Sequence, residues 1–200
     1  MAGVLKPLRL VWQSRAMVEL VSMSFVYAAV QVCLMSYLVV YLHDTLGWSL
    51  VASGLALSVT TLGGVIGRIV WGTLADRWLQ PRRVLGTIGA IACVCGGMTA
   101  LAEPHWPTFA FLAIAALFGA TAIGWNGVQL SELARRSPPG MAAAITGASG
   151  FISFGGVMLG PVLFAALGGV TGSYRTGFAM CALVSGATAA VIGMRQARAR

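Results

Sequence analysis

Polar residues are sparse along this chain and gather in short bunches, leaving six apolar stretches at residues 17–42, 50–75, 84–102, 106–130, 141–167 and 177–194. Each is close to the roughly 20 residues a helix needs to cross the hydrocarbon core of a bilayer. The pattern predicts an all-α integral membrane protein with six transmembrane helices joined by five short connections. The densest polar bunch, Asp76, Arg77, Arg82 and Arg83, separates the second stretch from the third and marks a membrane face.

Composition agrees with this pattern: 58% of residues are hydrophobic, 26 are glycine and the mean hydropathy is +0.86. A soluble core with a polar shell does not have this make-up. Basic residues are retained in the cytoplasm, so their placement orients the spans. Of the 13 basic residues, all but Arg68 and Arg175 fall on the N-terminal side: Lys6, Arg9, Arg15, Arg77, Arg82, Arg83, Arg135, Arg136, Arg195, Arg198 and Arg200. Both termini are therefore expected in the cytoplasm of a bacterial-type plasma (inner) membrane. The expected division is a cytoplasmic segment 1–16, a six-helix transmembrane domain 17–194 and a basic cytoplasmic tail 195–200. The net charge of +8 reports topology and contact with anionic lipid, not nucleic-acid binding. The basic, apolar start lacks a small-residue cleavage site, which argues against a cleaved signal peptide.

Several chemistries are disfavoured. Cys33, Cys93, Cys95 and Cys181 all fall inside apolar stretches, where cysteine behaves as a small hydrophobe, and Cys93-x-Cys95 lacks zinc-site spacing. No nucleotide-type glycine loop appears, so neither a cofactor nor a metal is expected. Gly147-Ala148-Ser149-Gly150 is superficially similar to the nucleophile tetrapeptide of rhomboid-type intramembrane proteases. A serine nucleophile needs a nearby base, however, and the two histidines, His43 and His105, lie in outer loops. No enzyme activity is expected.

The stretch Gly72-Thr73-Leu74-Ala75-Asp76-Arg77, followed by Arg82-Arg83, resembles the signature loop between the second and third helices of each half in the major facilitator superfamily (MFS). The usual pattern, D-R-x-G-R-R, is loosened here: Trp78-Leu79-Gln80-Pro81 intervenes without a glycine. Gly124-Trp125-Asn126-Gly127 leading to Glu132-Leu133-Ala134-Arg135, and Thr146-Gly147 running on to Gly160-Pro161, resemble the tenth and eleventh helices of bacterial facilitators. The resemblance implies the C-terminal six-helix half of a twelve-helix transporter, built as two inverted three-helix repeats. An N-terminal placement competes, because Gly147, Gly156, Gly160 and Pro161 fit the antiporter pattern G-x8-G-x3-G-P. That pattern fails at Phe164-Ala165, and the fourth span lacks the arginine it requires.

The resemblance makes spans one and four the pair that lines a cavity. On span one, Ser24, Tyr27 and Gln31 share a helix face; on span four, Thr121, Trp125, Gln129 and Glu132 do, with Asn126 beside them. The expected substrate path is lined by Tyr27, Gln31, Trp125, Asn126 and Gln129. For Asn126 and Gln129, hydrogen bonding between helices is an equal alternative. Arg68, inside span two, either snorkels to the interface or joins the path by pairing with a substrate carboxylate, Glu132 or Glu19. By resemblance, Gly72, Asp76, Arg77, Arg82 and Arg83 form a gating loop, with Asp76 meeting a helix N-terminus in the opposite half. Gly63-x-x-x-Gly67 and Gly156-x-x-x-Gly160 suit close helix packing, and Pro161 is expected to kink span five. The expected partners are a small organic solute, a proton or other coupling ion, the bilayer, and a second six-helix half or a second copy. The competing view is a truncated or accessory membrane subunit with no transport of its own.

Overall fold

The computed structural model describes residues 9–197, with side chains through Arg195. Lys6, Arg198 and Arg200, which entered the charge count above, lie outside the described residues. After a helical turn at residues 9–13, seven helices follow: α1 (Arg15–Asp44), α2 (Leu50–Arg77), α3 (Pro81–Ala100), α4 (Thr108–Ala122), α5 (Asn126–Arg136), α6 (Ala142–Thr171) and α7 (Arg175–Ala197). By length and apolar composition they make six candidate membrane spans, α4 and α5 together forming the fourth. Helix is the form an apolar segment takes in lipid, because it satisfies its own backbone polar groups.

The helices overrun the apolar stretches and end on polar signals. Ser49 Oγ accepts the Ala52 N–H at 3.2 Å at the start of α2. Pro81 occupies the first turn of α3, where a missing N–H costs nothing. Gly172 closes α6 in the left-handed region, φ 68°. The last helix continues to Ala197, so the first residues of the expected 195–200 tail are helical.

Packing pairs α1 with α6, α2 with α4, and α3 with α7. Glycines set two of these contacts. A Cβ at Gly63 or Gly67 would collide with the α4 backbone at Ala116 or Ala120, and one at Gly119 with the α2 backbone at Thr60. On the other pair, Gly156 and Gly160 lie against the α1 backbone at Phe25 and Ala29. Both small-residue motifs thus sit at backbone-to-backbone contacts, where packing replaces the hydrophobic effect that lipid removes.

The buried core has two clusters. One, toward the 45–49 connection, contains Leu34, Leu38, Tyr41, Phe111, Phe118, Phe164 and Phe178. The other, toward the 78–80 connection, contains Leu20, Tyr27, Trp71, Leu85, Ile88, Trp125 and Leu133. Two long helices leave apolar side chains uncovered: Leu55, Leu62, Val65, Ile66 and Ile69 on α2, and Phe151, Phe154, Met158 and Val162 on α6.

One sequence expectation needs revision: the fourth span is not one helix but two, parted at residues 123–125. Pro161 lies inside α6, which continues on both sides of it.

Candidate functional site

The break in the fourth span organises the site. Thr121 Oγ1 donates to Phe118 O at 2.9 Å and contacts Leu117 O at 3.1 Å, a back-bonding that bends helices. The Ala120 carbonyl, which residue 124 would claim in an unbroken helix, instead accepts the Trp71 indole N–H at 2.8 Å. A side chain entering the ladder is an identifiable cause of a helix break. Gly124 permits it, because a Cβ there would lie 2.9 Å from Gly67 C and 3.0 Å from Arg68 N.

Beyond the break, Trp125 and Asn126 face α1. Gln31 Oε1 accepts from both, from Trp125 Nε1 at 3.2 Å and from Asn126 Nδ2 at 3.3 Å. One turn on, Gln129 donates to Ser149 Oγ on α6 at 3.1 Å. Ser153 Oγ bridges to Ser24 Oγ on α1 at 2.8 Å. These groups border a cavity of about 320 Å³ lined by Gln31, Trp125, Asn126, Gln129, Thr146, Ser149, Gly150, Ser153 and Phe154, with aliphatic neighbours and no charged residue. Its walls combine aromatic and apolar surface with a few convergent amides and hydroxyls, which is the make-up of a small-molecule site.

Four of the six expected path residues, Gln31, Trp125, Asn126 and Gln129, meet in this cavity. Tyr27 does not line it. Its hydroxyl donates to Leu85 O on α3 at 2.8 Å, and its ring meets Trp125 edge-on at 5.8 Å, so it braces the indole from behind. Arg68 is exposed on α2, away from the cavity lining, with its stem beside Gly127. Neither carboxylate suggested for it is its partner: Glu132 pairs with Arg136 at 2.6 Å and Arg135 at 3.4 Å, while Glu19 is held by Arg82 and Arg195. Of the readings offered for Arg68, the pairing with Glu132 or Glu19 is thus not made among the described residues.

The α6 contribution of Thr146, Ser149, Gly150, Ser153 and Phe154 was not part of the path expected from the sequence, where Ser149 was weighed within a protease-like tetrapeptide. Its signal was present in the three- and four-residue spacing of Thr146, Ser149 and Ser153.

The loop residues divide. Asp76 and Arg77 are exposed at the end of α2, and Gly72 is half-buried with open space around it. Arg82 turns inward to Glu19, whereas Arg83 pairs with no carboxylate among the described residues. The four cysteines are free thiols. Among the described residues, no group of three or more His, Cys, Asp or Glu converges as a metal site.

A multi-pass helical membrane protein with an uncharged polar cavity beside a broken spanning helix has the architecture of a membrane transporter. The family model of the Major Facilitator Superfamily matches residues 2–161, and the chain belongs to that family of membrane transporters. No curated protein matches the sequence.

Proposed function

We propose that the chain is the C-terminal six-helix half of a secondary or facilitated transporter that moves a small organic solute by alternating access. The observation that carries this reading is the cavity where Gln31 meets the broken fourth span. Helix breaks in transporters gather at substrate sites because they free backbone and side-chain groups at mid-membrane depth. The uncharged lining favours a neutral solute, or one whose charge is met by the opposite half.

The uncovered apolar faces of α2 and α6 support a second six-helix unit, from a longer chain or a second copy, closing the path. The pairing of α1 with α6 and α2 with α4 is preserved if spans one to three exchange with spans four to six, which supports two inverted repeats. Asp76, exposed and without a basic partner among the described residues, is available to a helix N-terminus of that second unit. The charge distribution supports cytoplasmic termini in a bacterial-type inner membrane. With no carboxylate in the cavity lining, a coupling proton, if used, binds elsewhere.

Uptake into proteoliposomes, run over a panel of labelled neutral, cationic and anionic solutes, tests the proposal. For whichever solute is carried, Gln31→Leu strands two donors and should lower kcat/KM roughly tenfold or more. Asp76→Asn should cripple the rate while leaving the protein inserted. Wild-type kinetics in both variants would overturn these assignments.

A further inference from the structure

At the basic end of the bundle, away from the cavity, three helices bring charge together around one acid. Glu19 on α1 has a side chain only 5% exposed, and its Oε2 accepts from Arg82 on α3 and from Arg195 on α7, the latter at 3.2 Å. Its Oε1 has no donor among the described residues, and the buried Arg82 Nε–H has no acceptor. A guanidinium carries five donors, yet each of these arginines presents a single nitrogen to the acid. Arg15 adds a third positive charge and pairs with no carboxylate among the described residues. The protein therefore leaves this cluster with surplus charge and surplus donors.

The cluster borders a chamber of about 620 Å³ lined by Trp12, Arg15, Glu19, Arg82 and Arg195. Beside it runs a second recess of about 270 Å³ between α1 and α7, with Met23, Val26, Ala187 and Val191 on its walls. Val18, Glu19 and Arg195 border both, so the basic chamber opens onto an apolar groove. Trp12 is 66% exposed at the chamber's edge, where an amphipathic ring suits the headgroup layer.

We infer that this paired chamber and groove is a binding site for an anionic phospholipid, its phosphate held by Arg15, Arg82 and Arg195 and an acyl chain lying between α1 and α7. Charge complementarity selects the headgroup: three cations face one carboxylate, and phosphate oxygens accept the donors that the protein leaves unused. The groove selects a lipid over a soluble phosphate, because only a lipid fills both compartments. Basic pockets between spanning helices at the cytoplasmic side are where such headgroups bind.

The test is native mass spectrometry of the detergent-purified protein titrated with phosphatidylglycerol, with phosphatidylcholine of the same chains, and with inorganic phosphate. Phosphatidylglycerol should bind about tenfold more tightly than phosphatidylcholine, and Arg15→Gln with Arg195→Gln should cost roughly fivefold per arginine. Val191→Trp fills the groove and leaves the arginines intact, so it should weaken phosphatidylglycerol binding even if the arginine variants prove unstable. Equal retention of both lipids overturns the site. Displacement of phosphatidylglycerol by millimolar phosphate, with Val191→Trp silent, overturns the lipid and makes the chamber a soluble-anion site.

Discussion

Trp71 shows how a single side chain sets the geometry of the cavity from outside it. Its indole N–H takes the Ala120 carbonyl, which leaves the chain free to turn at residues 123–125 and deliver Trp125 and Asn126 to Gln31. Trp71→Phe keeps most of the packing but strands that carbonyl, and should destabilise the fold by about 1–3 kcal/mol. Thermal unfolding in detergent checks this, and an unshifted Tm would remove Trp71 from the account. Polar spacing, together with the resemblance that pairs spans one and four, made Gln31, Trp125, Asn126 and Gln129 legible in the sequence, because polar groups in spans are costly and tend to converge on a cavity or a partner helix. Tyr27 fell on the same face of α1 as Gln31, yet it reaches the Leu85 carbonyl on another helix. Helical periodicity gives a direction but not the distance to the neighbour. Of the partners offered to Arg68, Glu132 is taken by Arg135 and Arg136 one turn along its own helix, and Glu19 by Arg82 and Arg195 from α3 and α7, which no local pattern brings together.

At the scale of helices, the six spans were legible because an apolar run of sufficient length in lipid has one low-energy backbone form. The break in the fourth was not, because residues 106–130 read as one long, mostly apolar run and the departure depends on Trp71, 49 residues from the carbonyl it takes. Small residues decide which helices touch. Gly119→Val would drive a branched side chain into the α2 backbone at Thr60, and Gly156→Val would do the same to α1 at Phe25. Each should cost about 1–3 kcal/mol or more and reduce the monodisperse fraction in size-exclusion chromatography. Gly147→Ala, with open space around it, should behave as wild type. Equal tolerance at all three positions would contradict the packing of α2 on α4 and of α1 on α6.

At the scale of the molecule, transport requires that the cavity hold water while the exposed faces of the bundle meet lipid or another half. Thiol chemistry separates these environments, because the thiolate is the reactive form and a thiol against hydrocarbon stays protonated. Gly150 lines the cavity and has open space where a side chain would go. Leu183, 72% exposed on α7, points away from the bundle and does not line the cavity. The decisive measurement replaces Cys33, Cys93, Cys95 and Cys181 by alanine, adds Gly150→Cys or Leu183→Cys, and labels membrane vesicles of both orientations with a membrane-impermeant maleimide. The thiol at position 150 should react and the thiol at position 183 should stay inert. An inert thiol at 150, in protein shown to be folded, would mean that the cavity is dry and that Gln31, Trp125, Asn126 and Gln129 only hold helices together.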